Sequence, residues 1–269
     1  MLNLKKSYSS VESGYYSSMD SGHDETVNQG KFSDYLRRLT DVRQMDFEAT
    51  YEQFMDLLST EPARVYIPFF SRKQHKKHWA RDDPAFLVVE LVFLAIASLA
   101  YAIAFRRASF WSYVWTVLYS IIVDYFFVGI AVASTGSYIA NKYLRQQNHS
   151  HSVAQEVEWL FAFDVHTNSF FCSFLLTYVL QYFLLPILLG RNFVSCILSN
   201  ALYSIAMIWY AYNTHLGYRQ LPFLGNTQVF LWYPIVTVVL LFAVSLLLLL
   251  LGFRINCTRI CMAFHYGLA

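Results

Sequence analysis

The chain has 269 residues, of which 56 % are hydrophobic and 14 % charged, against roughly 45–50 % and 25 % in an average soluble domain. With 23 Phe and 20 Tyr, it carries more apolar surface than a soluble fold of this length can bury. That excludes a disordered protein, a disulfide scaffold and an ordinary cytosolic enzyme, and it points to an integral membrane protein. A formal charge of +2 gives no global basic field for nucleic acid, and four cysteines, two of them in apolar runs, imply no disulfide framework.

Charge is unevenly placed. Residues 1–83 hold 12 of the 20 Lys/Arg and 13 of the 18 Asp/Glu, and the boundary falls at Asp82-Asp83-Pro84. Residues 1–30 are rich in Ser, Gly, Asp and Glu and read as a disordered tail. Residues 31–83 read as a segment of amphipathic helices. In its first part Tyr35, Leu36, Leu39 and Val42 recur at helical spacing behind Ser33 as N-cap. In its second part Phe47, Tyr51, Phe54, Met55 and Leu58 form an apolar stripe, with Asp46, Glu48, Glu52 and Asp56 on the other face. Anionic lipid would repel that acidic face, so the stripe is expected to dock against protein rather than lie free on the bilayer.

Residues 84–256 read as a membrane domain. Its five apolar spans cover about 85–105, 110–138, 170–189, 193–212 and 229–253, each long enough for a bilayer core of about 30 Å. Trp159–Phe163 is already apolar and aromatic ahead of the third. The expected fold class is all-α: a polytopic membrane protein with five transmembrane helices, N-terminal cytosolic amphipathic helices and a short C-terminal tail over 257–269. With no apolar stretch near the N-terminus, the first span is expected to act as signal anchor. Arg72, Lys73, Lys76, Lys77 and Arg81 crowd the approach to that span, and the Lys/Arg count on this side of the membrane is 8 against 5. The bias places the N-terminus in the cytosol.

Few residues carry chemistry. Asp124 falls at the middle of the second span, Asp164 and His166 at the entry of the third, and Asn200 inside the fourth. Intramembrane ionisable groups cost about 2.5–3.5 kcal/mol at a helix centre. These four therefore form a candidate polar cluster, either binding an ion, headgroup or proton in a small transporter or lipid-handling protein, or tying helices together. Glu90, in the first span, can reach the interface. Asp164 and His166 are two apart and share no helix face, and no nucleophile motif stands beside them. Metalloprotease, hydrolase-elbow, C-x-x-C and phosphate-loop patterns are absent, so neither an enzyme nor a cofactor is implied. His149-Ser150-His151 offers too few ligands for a metal. The run Lys73–Trp79 fits attraction to anionic headgroups, with Trp79 as interface anchor; it fits RNA less well, because no RNA-binding signature accompanies it. Pro84 suits the first turn of the first span, with Asp83 as N-cap.

Several strings carry a resemblance. They include Arg43–Glu48, Arg72-Lys73-Gln74, Trp79–Val88, Asn141–Leu144, Val157-Glu158-Trp159 and Ala162–His166. Leu216-Gly217-Tyr218, Leu221–Leu224 and Asn226-Thr227 follow. In order and spacing they resemble the Unc-fifty (uncoordinated-locomotion) family of Golgi membrane proteins over about residues 33–260. The resemblance implies a non-enzymatic five-span protein of the Golgi that supports vesicle trafficking and surface delivery of cargo such as nicotinic receptors. It also implies recruitment of exchange factors for Arf GTPases, and it extends to RNA binding and the inner nuclear membrane as alternatives. On that basis Arg43, Asp46, Arg72, Lys73, Arg81, Asp82 and Asp83 are candidates for a cytosolic partner surface.

Overall fold

A computed structural model of the chain describes residues 45–69, 73, 78–81, 83–105, 109–146 and 155–266. The stripe of Tyr35, Leu36, Leu39 and Val42, the histidine pair at 149 and 151, and the candidates Arg43, Arg72 and Asp82 lie outside the described residues.

Helix α1 runs Phe47–Leu58, and Asp46 caps it by accepting from the Ala49 N–H at 2.9 Å. A 3-10 turn, Pro62–Tyr66, follows. Five helices are then long and apolar enough to cross a membrane: α2 (Ala85–Ala104), α3 (Phe110–Leu144), α4 (Trp159–Leu188), α5 (Phe193–Arg219) and α6 (Val229–Leu250). A last helix, α7, spans Cys257–Tyr266. Among the described residues there is no β-strand, only one bridge that joins Arg145 to Leu224.

At 1.5 Å per residue α3 is about 52 Å long and α4 about 45 Å, well beyond a core of about 30 Å. Both project on the side where α2 begins, called here the N-terminal face; the opposite side is the C-terminal face. The projecting start of α4 is the pillar of the fold. Every residue from Phe161 to Cys172 is buried, polar ones included, because α3, α5 and α1 enclose it. A helix buried on all sides cannot show an amphipathic period. This is why its apolar span reads later in the sequence than its start at Trp159.

Two glycines set how tightly the neighbours close on that pillar. A Cβ on Gly129 of α3 would meet the His166 ring at 2.6 Å, and one on Gly217 of α5 would meet Val165 at 2.6 Å. At the other extreme, α6 packs mainly on α5, and only 6 % of its apolar window is buried against 39 % for α2.

α1 corrects the expected docking face. Its buried residues are Thr50, Phe54 and Leu57. Of the aromatic and aliphatic stripe only Phe54 is covered; Phe47, Tyr51, Met55 and Leu58 are exposed. Phe54 stacks on Phe86 of α2 at 4.3 Å and meets Phe171 of α4 at 4.4 Å between ring centroids. These contacts fix the rotation of the helix.

Candidate functional site

Trp79, Ala80 and Arg81 lie outside any helix, so side chains at the start of α4 satisfy their backbone. Glu158, just ahead of α4, accepts from the Trp79 N–H at 3.1 Å and the Ala80 N–H at 3.4 Å. One turn into α4, Asp164 accepts from the Arg81 N–H at 2.6 Å. The Arg81 side chain then runs inward. It donates to Asn168 and, at 3.5 Å, to Thr167, and its guanidinium lies 4.3 Å from the Phe86 ring centre and 5.4 Å from that of Phe69. Arg81 is 6 % exposed; it is part of the core and drops out of the proposed partner surface. Trp79 is likewise buried, against Phe161 and Phe223. It is a core residue rather than an interface anchor, with Lys73 Nζ 5.5 Å over its ring.

Asp83 joins two helices. One carboxylate oxygen accepts from the Ala85 N–H at 2.9 Å, the other from the Asp46 N–H at 2.8 Å. It thus caps α2 and ties the start of α1 to it. Pro84, not Asp83, is the residue immediately before α2, so the helix begins one position later than the sequence suggests, while Asp83 still caps it. Behind this layer the Tyr66 hydroxyl reaches the Asn213 carbonyl at 3.3 Å. Burial pushes that hydroxyl well above its ordinary value, so it stays protonated.

Loops of the same face interlock. Asn141 clamps residue 157 from both sides, accepting from the Val157 N–H at 2.7 Å and donating to its carbonyl at 3.1 Å. Gln146 N–H donates to the Phe223 carbonyl at 2.9 Å, and Gly225 N–H to the Leu144 carbonyl at 2.8 Å. His215 Nδ1 sits 2.9 Å from the Thr227 carbonyl. An open groove of about 510 Å³ lies beside them, lined by Tyr138, Asn141, Lys142, Arg145, Glu156 and Trp159 among others. Arg145 and Glu156 pair across it at 3.0 Å, and Lys142 Nζ donates to the Tyr138 hydroxyl at 2.6 Å.

The four intramembrane candidates are held at separate places, each by its own partners. Asp164 serves Arg81, as above. His166 Nδ1 meets the Tyr210 hydroxyl of α5 at 2.7 Å. Asp124 lies in a π-helical stretch of α3, Ser120–Phe127. It accepts from Tyr178 of α4 at 2.9 Å and faces Nε2 of His265 at 3.0 Å. Asn200 of α5 donates to the Ile255 carbonyl at 3.1 Å and accepts from the Cys257 N–H at 3.0 Å. Glu90 is buried and accepts from the Tyr125 hydroxyl at 2.6 Å, so it does not reach the interface. Among the described residues no group of three His, Cys, Asp or Glu could hold a metal ion.

His265 had no sequence signal, since its partner lies 141 positions away. It draws the C-terminal helix back under the bundle. Burial alone pushes its imidazole down, but the hydrogen bond and charge of Asp124 outweigh that, so the net shift is upward. Around it, Tyr266 stacks on Tyr101 and Phe105, and Ser199 accepts from the Thr258 N–H at 2.8 Å. Burial pushes the thiols of Cys257 and Cys261 up, and both cysteines are free.

Among the described residues, the geometry thus gathers on one face Trp79-Ala80-Arg81 with Asp83–Val88, Asn141–Leu144, Val157-Glu158-Trp159, Ala162–His166, Leu216-Gly217-Tyr218, Leu221–Leu224 and Asn226-Thr227, strings that carry the family resemblance. The sequence profile of the UNC-50 family matches residues 35–266. The chain belongs to the UNC-50 family. It is 47 % identical over 215 residues to the protein unc-50 homolog of Dictyostelium discoideum, covering 80 % of this chain and 82 % of that one. The human protein unc-50 homolog is 39 % identical over 216 residues, 80 % of this chain and 81 % of that one. A protein GMH1 homolog of Schizosaccharomyces pombe is 38 % identical over 212 residues, 78 % and 89 % of the two chains. No solved structure matches. The chain is a multi-pass membrane protein of this family.

Proposed function

We propose that the chain is a non-catalytic Golgi membrane protein whose N-terminal face lies in the cytosol and recruits exchange factors for Arf GTPases. In doing so it supports vesicle trafficking and surface delivery of membrane cargo such as nicotinic receptors. One observation carries this reading: the strings that carry the family resemblance converge on a single interlocked face, beside an open groove with two basic residues, Lys142 and Arg145. The excess of Lys/Arg on that side of the membrane supports a cytosolic placement. The pairing of Asp124, Asp164 and His166 with structural partners supports a scaffold over acid–base or transport chemistry.

The test is recovery of the exchange factor with the tagged full-length protein from Golgi membranes. The double substitution Lys142→Ala and Arg145→Ala is expected to abolish most of that recovery while protein abundance stays at the parent level. Undiminished recovery from a normally abundant variant would remove the groove from the recruiting surface. Failure of the parent chain to recover any exchange factor would overturn the recruiting role itself.

A further inference from the structure

α1 presents three faces, and two of them are accounted for. At about 100° per residue, the buried stripe Thr50–Phe54–Leu57 and the exposed stripe Phe47–Tyr51–Met55–Leu58 are centred roughly 90° apart; the acidic stripe Glu48–Glu52–Asp56 lies roughly another 100° round. The first faces the bundle, and the last carries the charge that belongs in water. The middle stripe is apolar and open, with Tyr51 65 % and Met55 50 % exposed.

Its surroundings identify what covers it. Phe54 lies 5.8 Å from Phe93 between ring centroids, and Phe93, on the outward side of α2, is 40 % exposed beside exposed Val92 and Ile96. Those three residues sit on a helix that crosses the membrane, so their exposed side meets acyl chains. Phe93 lies about 12 Å along α2 from Ala85 by helical rise. α1 is therefore set at the depth of the first turns of α2, beside the outward-facing side of that helix. Bundle to one side, acyl chains below and water above is the geometry of an interfacial helix.

We propose that α1 is a membrane-inserted wedge, with Phe47, Tyr51, Met55 and Leu58 seated in the acyl boundary of the leaflet on the N-terminal face. The contact is apolar, and the acidic stripe gives anionic headgroups nothing to attract. Insertion therefore does not depend on anionic lipid. This assignment holds whichever compartment the face looks into, and it is independent of exchange-factor recruitment.

The experiment uses the purified full chain in vesicles of phosphatidylcholine, alone or with about one part in five phosphatidylserine. Spin labels are placed through Tyr51→Cys, Met55→Cys, Glu48→Cys and Glu52→Cys in a background with Cys257→Ser and Cys261→Ser. Collision with oxygen should exceed collision with a water-soluble nickel complex several-fold at 51 and 55. The order should reverse at 48 and 52, equally in both lipid mixtures. Nickel-dominated collision at 51 and 55 would put the stripe in water, and low collision with both reagents would mean that a second copy or a partner protein covers it; either overturns the proposal. The unsubstituted chain gives a check free of mutation. A photoreactive group near the head of the acyl chain should label Phe47–Leu58, and its failure to do so, while the first turns of α2 are labelled, would overturn the proposal as well.

Discussion

The two faces of the bundle are each closed by a segment folded back onto the membrane helices, but by different chemistry. On the N-terminal face, Glu158, Asp164 and Asp83 hold backbone N–H groups of Trp79, Ala80, Arg81, Asp46 and Ala85. A backbone N–H does not titrate, so this closure holds wherever the carboxylates are ionised. On the C-terminal face, α7 is held by neutral amides and hydroxyls at its start and by the Asp124–His265 pair near its end. One closure is a fixed lock. The other carries a histidine whose charge depends on pH.

Breaking the lock should have the largest effect. Asp164→Ala strips the carboxylate acceptor from the buried Arg81 N–H, a loss of about 3 kcal/mol for a hydrogen bond to a charged group. Thermal unfolding of the detergent-solubilised chain, followed by the loss of its monodisperse gel-filtration peak, should show a clear drop in midpoint. An unchanged midpoint would mean that Asp164 does not hold the segment.

Asn200→Ala is the matching break on the other face. It removes one hydrogen bond to the segment ahead of α7 and one to the first residue of α7, about 2 kcal/mol at roughly 1 kcal/mol each. Because that segment joins only α6 and α7, the loss should appear as local opening. Proteolysis near Ile255 should speed up while the global midpoint moves less than for Asp164→Ala.

His265 sharpens the contrast through pH. Its pKa in the folded chain lies above the ordinary 6.5. The stabilisation it supplies is therefore full below about pH 6.5 and is lost as pH rises through the folded value. Docking of α7 should weaken over that range in the parent chain, and His265→Ala should flatten the dependence. A pH response that survives the substitution would assign it elsewhere.

Asp83 should give the smallest effect, since loss of a cap costs about 1 kcal/mol. Asp83→Ala should lower the unfolding midpoint slightly, and Asp83→Asn, which retains an acceptor oxygen, should lower it less. Equal loss with both would show that the charge, rather than the hydrogen bonds, is what counts.

The helices that cross the membrane were legible because long apolar runs leave little choice of structure. What the runs could not reveal was rotation and pairing. In α1 the apolar residues cover a broad arc, and only contact with Phe86 and Phe171 decides which half is buried. Arg81 reads as one more base in a basic run. Its burial depends on the faces of Phe86 and Phe69 and on Asn168, 87 positions away, and no spacing rule in the basic run brings these together. Asp124, Asp164, His166 and Asn200 stood out because polar groups are costly in lipid, but cost alone does not say that they share a site. Each was matched to a different element. The chain beyond 256 reads only as a short C-terminal tail because its anchors, Asp124, Ser199 and Asn200, lie far back in the chain.

Hydrogen–deuterium exchange on the purified full chain at pH 6 and pH 8, corrected for intrinsic rates, compares the two closures in one experiment. Peptides covering Trp79–Glu90 should be equally protected at both values, whereas peptides covering Asn256–Tyr266 should lose protection at pH 8. Equal protection of both segments at both pH values, or loss in both together, would contradict a fixed lock on one face and a titratable one on the other.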